Sequence, residues 1–265
     1  MQKHGGAATD VTRNMHKNCK MLNQNCRCLN TQLLAVTEEF DVKIAPVQES
    51  SFDFHKMAKI CGKLNNVTNI ACSPDRSLFC VHDGDLYSGP LPSKEGSDWF
   101  STAKRVGRGG WDEFKTIFFH PNGVFYGTTI NGDLYKGPKP SNEHVNWRQH
   151  VATKIGSGDW HEYGALFFHS NGDLYAVCKD DTLVKGKPPT GPGNWRASTT
   201  RIGKWGWLEL THFMAISPDG LLWCVSKGTG SLYKGLPPDH DDVNYIGLAQ
   251  HGGRGYNMYK FLCFI

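Results

Sequence analysis

The stretch "GRGGWDEFKTIFFHPNG" (residues 107–123) runs from glycines and a tryptophan through an acidic pair and an apolar run to an Asn-Gly turn. Its second part, "FKTIFFHPNG", recurs as "YGALFFHSNG" (163–172), "THFMAISPDG" (211–220) and "VTNIACSPDR" (67–76), and begins again as the chain end "YKFLCFI" (259–265). The residue before each turn marks the register: Ser73, His120, His169, Ser217 and Ile265, at steps of 47, 49, 48 and 48. Self-similarity at a fixed period in the forties is the mark of a repeat architecture.

Working outward, each copy is followed by a second apolar strand, "SLFCV", "VFYGT", "DLYAV" or "LLWCV", and then by a third, "DLYSGP", "DLYKGP", "TLVKGK" or "SLYKGL". A Pro-containing loop follows and ends in an Asx-aromatic pair: Asp98-Trp99, Asn146-Trp147, Asn194-Trp195 and Asn244-Tyr245. Behind it a fourth segment closes on glycine, "AKRVG", "ATKIG", "TTRIG" or "LAQHG". The last copy stops after its first strand. Its missing parts lie at the other end of the chain, where "QLLAV" (32–36), "FDVKIAP" (40–46), Asp53-Phe54 and "AKICG" (58–62) supply them in order.

Four short strands per period, with one period split between the termini, select a closed ring: an all-β, five-bladed β-propeller of four-stranded antiparallel blades. Closure protects the strand edges that an open array would expose. The strand at 259–265 is expected to pair with N-terminal strands near 33–36. The inner strands read apolar on both faces because a blade is covered by a neighbour on either side. A β-helix or β-sandwich is the runner-up, and neither explains the split unit. The expected organisation is a disordered extension over 1–30 and a single propeller domain over 31–265, its fifth blade shared between 31–62 and 259–265.

Composition agrees. Of 265 residues, 39% are hydrophobic and 12% aromatic, enough for a sizeable core, while 30 glycines and 13 prolines interrupt every helical pattern. The net charge of +4 sits entirely in residues 1–30, where five basic residues face Asp10 alone; the rest is neutral. A neutral body lacks the basic footprint of a nucleic-acid binder, so no nucleic-acid partner is expected. No apolar run is long enough to span a bilayer, so no membrane insertion is expected, and no signal peptide is read at the N-terminus. Of nine cysteines, Cys61, Cys72, Cys80, Cys178, Cys224 and Cys263 lie in strand-like segments and read as small buried hydrophobes. Cys19, Cys26 and Cys28 sit in a polar segment where a disulfide is open, and they lack the further ligands of a zinc site.

The two runs "DWFSTAKRVGRGGWDEFKTIFFHPNGVFYGT" and "NWRQHVATKIGSGDWHEYGALFFHSNGDLYAV" resemble the tachylectin-2 family, five-bladed propeller lectins for N-acetylglucosamine and N-acetylgalactosamine. The resemblance runs from about residue 31 to the C-terminus. It implies one sugar pocket per blade, between the segment leading into the blade and the loop before its outermost strand. On this chain Gly110, Trp111 and Asp112 would face Asn146 and Trp147; Gly158, Trp160 and His161 would face Asn194 and Trp195. Trp207 would face Asn244 and Tyr245; Tyr256 and Asn257 would face Asp53 and Phe54; Gly62, Lys63 and Leu64 would face Asp98 and Trp99. Leu64 and Tyr256 replace tryptophan, and "GKWGWLEL" makes its repeat one residue longer. The resemblance further implies host defence in extracellular fluid or storage granules, against partners such as microbial surface glycans.

The residue types suit a sugar. Glycines let backbone donors and acceptors come close, Asn or Asp bonds hydroxyl or amide, and tryptophan offers a rigid apolar face with one N–H. The same aromatics could instead pack blade against blade, and one indole could do both. Shallow sites repeated around a ring hold a many-sugared surface by avidity. The alternative is a protein-interaction scaffold with decayed pockets. No unit holds an acid, base and nucleophile set that the others lack, so no catalytic residue, cofactor or metal is expected. His120 and His169 read as turn residues; "HEYGA" lacks the second histidine of a zinc motif; "GRGGWD" lacks the third glycine of a dinucleotide loop. "HDD" (240–242) reads as a solvated loop. Asn66-Val67-Thr68 fits a glycosylation acceptor but is expected to be poorly exposed.

Overall fold

The computed structural model describes residues 31–47 and 53–265; the extension over 1–30 and its three cysteines lie outside the described residues. Blade 1 consists of β1 (Gln32–Thr37), β2 (Asp41–Pro46) and β3 (Lys59–Lys63). Blade 2 is β4 (Val67–Cys72), β5 (Leu78–His82), β6 (Asp85–Gly89) and β7 (Lys104–Gly107). Blade 3 is β8 (Phe114–Phe119), β9 (Phe125–Thr129), β10 (Leu134–Gly137) and β11 (Thr153–Gly156). Blade 4 is β12 (Ala165–Phe168), β13 (Leu174–Val177), β14 (Leu183–Gly186) and β15 (Thr200–Gly203). Blade 5 is β16 (Phe213–Ile216), β17 (Leu222–Val225), β18 (Leu232–Gly235) and β19 (Gln250–Gly253), and β20 (Tyr259–Phe264) returns to complete blade 1.

Among the described residues these strands make five four-stranded antiparallel sheets. In the split sheet β20 pairs with β1 in the expected place, Leu33 opposite Phe264 and Val36 opposite Phe261. Backbone bonds between Gln32 and Ile265 in both directions, at 3.0 and 3.1 Å, fasten the end of the seam. Leu33, Leu34, Ala35 and Val36 are fully buried, so the seam lies inside the apolar interior rather than on its rim. The core is divided among the gaps between blades. In one gap Ala71, Phe79 and Val81 of blade 2 meet Phe114, Ile117 and Phe125 of blade 3.

The recurring Ile-Gly element has a geometric cause. The fourth strand meets the third with a bulge at the same place in every blade: Leu134 faces Gly156 but Tyr135 faces Lys154, and likewise in the other four. A bulge leaves one residue unpaired and re-aims it. Val106, Ile155 and Ile202 are the skipped residues of blades 2, 3 and 4, and all are buried between blades.

The expectation for the histidines agrees with their geometry: Nδ1 of His120 accepts from Asn122 N at 3.2 Å and that of His169 from Asn171 N at 3.1 Å, holding the turns. Cys80, Cys178 and Cys224 are buried thiols, and burial holds Cys224 up at about 12. Cys72 and Cys263, on adjacent inner strands, bring their sulfurs to 3.3 Å. Two expectations fail. Cys61, Cys72 and Cys263 are half-buried rather than buried. Asn66 stands exposed in the tight turn before β4, at φ 54°, because the chain must reverse there before the strand begins.

Candidate functional site

The segment leading into each blade hangs from the hairpin tip of the blade before it. Trp111 N donates to Gly84 O at 3.1 Å, Trp160 N to Gly132 O at 3.3 Å and Tyr256 N to Gly230 O at 3.0 Å. The hanging aromatic then folds back on the glycine that ended the preceding strand. A Cβ on Gly107, Gly156 or Gly203 would fall 2.0 to 2.1 Å from the indole nitrogen of Trp111, Trp160 or Trp207. No side chain fits under that ring, which is why Gly and Trp recur together.

The Asx-aromatic pairs start one-turn helices. Side-chain oxygens of Asp98, Asn146, Asn194 and Asn244 accept backbone N–H bonds from Phe100, Gln149, Ala197 and Gly247 at 3.0 to 3.3 Å, and Asp53 accepts from Lys56 at 3.4 Å. Each cap occupies orphan donors of the first turn. The aromatic beside it is buried. Trp99, Trp147 and Trp195 donate their indole N–H to the carbonyls of Pro90, Pro138 and Lys187 at 2.7 to 2.8 Å, and Tyr245 donates to Leu222 O at 2.5 Å. Burial raises the Tyr245 hydroxyl far above its ordinary range, so it stays a donor.

The expected partners therefore do meet, as ring pairs: Trp111 with Trp147 at 5.8 Å between centroids, Trp160 with Trp195 at 5.3 Å, Trp207 with Tyr245 at 5.4 Å and Tyr256 with Phe54 at 6.3 Å. At 0 to 6% exposure these rings are the floor of each groove. Any contact with a small molecule falls to the groove walls: Asn amides, lead-in backbone and flanking charges.

The five walls differ. In blade 2 the groove is zipped shut, for Lys63 N bonds Ser97 O at 2.9 Å and a parallel bridge joins Lys63 to Asp98 over buried Leu64. In blade 1 the His55 ring fills the space. Protonated at Nε2, it donates to Arg254 O at 2.8 Å and accepts at Nδ1 from the Tyr259 hydroxyl at 2.9 Å. Asn257 turns away to Lys227 O at 3.4 Å. In blade 3, where Gly110 and Asp112 are exposed, two ion pairs cross from the lead-in to the loop: Arg108 to Glu143 at 3.2 Å, and Glu113 to Arg148.

Blades 4 and 5 hold open clefts. The first is about 590 Å³, floored by Trp160 and Trp195 and walled by Ser157, Asp159, Tyr163, Asn194 and Arg196. The second is about 340 Å³, over Trp207 and Tyr245 with Asn244 and Asp242 around it and the exposed Trp205 at its outer rim. Both volumes suit a small ligand. Blade 4 carries the same Glu and Arg as blade 3, but Glu162 pairs with Lys179 at 2.5 Å and Arg196 with Asp180 at 2.7 Å, so neither crosses. The reason lies in the hairpin beside them, where Lys179 and Asp180 replace Ile130 and Asn131 and offer nearer partners. His161 instead bonds the Gly158 carbonyl at 3.1 Å. Burial lifts the Tyr163 hydroxyl to about 12, leaving it a neutral donor at the cleft wall.

Sequence reasoning missed Ser157, Asp159, Tyr163, Arg196 and Trp205. The repeated tripeptide Asn-Trp-Arg at 146–148 and 194–196 was the signal for Arg196, and a tryptophan where blades 3 and 4 have Gly109 and Gly158 was the signal for Trp205.

Known proteins bear on this geometry. The Tachylectin family matches residues 36–261. A solved structure of a symmetrical protein, described for its de novo evolutionary emergence under folding constraints, is 28% identical at a TM-score of 0.78, covering 88% of this chain and 98% of that one. A luciferin-regenerating enzyme, 11% identical at a TM-score of 0.49 over 81% of this chain and 70% of its own, is a looser match. So is regucalcin, a calcium-binding protein from Agrobacterium tumefaciens, 13% identical at 0.47 over 80% and 68%. With five blades, the recurring Gly-Trp floor and a match from the closing seam of blade 1 to β20, the chain belongs to the Tachylectin family.

Proposed function

We propose that the protein is a non-catalytic, multivalent lectin for N-acetylhexosamines, N-acetylglucosamine or N-acetylgalactosamine, working through the clefts of blades 4 and 5 in innate recognition of foreign glycans such as those of microbial surfaces. One observation carries this reading: two blades keep an open cleft at the same place, each floored by an indole and a second aromatic ring, with a capping Asn on the wall. The capping oxygen of Asn194 or Asn244 is spent on the backbone, and the amide N–H groups remain for a hydroxyl or an acetamide carbonyl. Two weak sites held rigidly apart on one ring gain by avidity on a surface of many sugars. Calorimetry with N-acetylglucosamine and N-acetylgalactosamine tests this, with a stoichiometry near two per chain and retention on the sugar-agarose expected; no heat and no retention would sink it.

A second reading, a protein-interaction scaffold with decayed pockets, draws on the three grooves that are zipped, filled or bridged. Absence of sugar binding together with a stable protein partner would favour it.

A further inference from the structure

Among the differences between the blade-5 cleft and that of blade 4, one adds a large apolar side chain at the rim. The lead-ins of blades 3 and 4 place Gly109 and Gly158 two residues before the floor tryptophan, and blade 5 places Trp205 there. Trp207 already does the packing, 3% exposed against Gly203, so Trp205 is not needed for the blade interface. It is 77% exposed at the cleft rim, with Ile246 45% exposed on the opposite loop. An apolar surface of this kind, continuous with an open cleft, is the informative exception on a protein surface.

The backbone that carries the indole is also held in place. Gly206 N and Leu208 N, on either side of Trp207, each donate to the Asp181 carboxylate at 2.6 Å. Gly206 takes φ 84°, a left-handed turn that sets Trp205 outward while Trp207 points in. Asp181, at φ 66°, replaces the glycine at the hairpin tips of blades 2, 3 and 5, where the backbone carbonyl of that glycine holds the next lead-in, joined in blade 2 by Asp85, which accepts from Gly109 N at 2.7 Å. Lys204 and Asp242 face each other at 3.6 Å beside it, both exposed and able to bond hydroxyls.

We propose that Trp205 forms an outer subsite for the second pyranose ring of an oligosaccharide whose terminal N-acetylhexosamine occupies the cleft floor. The inference rests on the lectin reading of that cleft. A pyranose presents one face of C–H groups and an edge of hydroxyls; the face stacks on the indole and the edge reaches the Lys204 and Asp242 pair. A tryptophan has only two side-chain torsions, and on a backbone held before binding it loses little entropy when the sugar arrives. Blade 4, with glycine at this position, takes a single ring, so the two clefts differ in preference for chain length.

Calorimetry with the methyl β-glycoside of N-acetylglucosamine and with its β1,4-linked disaccharide tests this. In the wild type one site is expected to bind the disaccharide about three- to tenfold tighter than the monosaccharide. Trp205→Ala is expected to abolish that gain and leave the monosaccharide unchanged, with Trp205→Phe retaining most of it. The residue is exposed, so neither variant should alter the unfolding midpoint. Equal affinities for both sugars in the wild type would overturn the outer subsite while the lectin reading stands. An equal loss for both in Trp205→Ala would place the indole in the terminal site and overturn it as well. Failure of both sugars, and of N-acetylgalactosamine, to bind at all would defeat both readings.

Discussion

At the scale of single residues, the glycine under each indole and the Asx at each cap do separable jobs. Gly156→Ala puts a methyl 2.1 Å from the Trp160 nitrogen, and overpacking of this kind costs roughly 1–3 kcal/mol. Denaturant titration should show that penalty shrink in a Trp160→Leu background; an undiminished penalty would mean the indole is not its cause. Asn194 caps through its oxygen, as Asp53 and Asp98 do in other blades. Asn194→Asp is therefore expected to keep stability while reducing sugar affinity at blade 4, and Asn194→Ala to lose about 1 kcal/mol as well. Unfolding midpoints and binding isotherms on the two variants check it.

At the scale of elements, the hairpin between the second and third strands decides whether a groove is open. Lys179 and Asp180 draw Glu162 and Arg196 aside, and without such partners Glu113 and Arg148 close on each other. Lys179→Ile with Asp180→Asn, which writes the blade-3 hairpin into blade 4, is expected to close that cleft and reduce sugar stoichiometry by one. Glu113→Ala with Glu143→Ala is expected to open blade 3 and raise it by one, at small cost because partly exposed ion pairs contribute about 0–1 kcal/mol each. Stoichiometry unmoved in both variants would refute the hairpin's control. None of this was legible beforehand, since Asn-Trp-Arg and the Glu after the lead-in tryptophan read identically in the two blades. The Ile-Gly element and the recurring tryptophans were legible because they repeat along the chain; the bulge that explains the Ile-Gly element came from the strand register.

At the scale of the whole molecule, the blades are tied by core, seam and charge. Arg105 on β7 and Arg201 on β15 reach carboxylates in the next blade, and these guanidiniums hold Glu143 and Asp241 below their ordinary values of 4.5 and 3.8. A depressed carboxylate contributes stability above its unfolded value and loses it as pH falls through the folded one. The thermal midpoint is expected to be flat near neutrality and to fall from about pH 4.5 downward, less steeply in high salt. A midpoint rising with acid would contradict this. Truncation after Met258 removes β20 and bares the buried edge of β1; circular dichroism and gel filtration should find an unfolded or aggregated chain.

By itself the sequence determined the blade count, the strand order, the split blade and the positions of the recurring aromatics, because each follows from a period and from residues adjacent along the chain. Only the tertiary structure showed which of the five grooves stay open. That choice depends on competition among charges and rings brought together from distant positions: His55 against Arg254, Arg148 against Glu113, Arg196 against Asp180. A tryptophan four residues after its glycine announces a packed ring. An arginine announces only that it will pair, and the fold chooses with what.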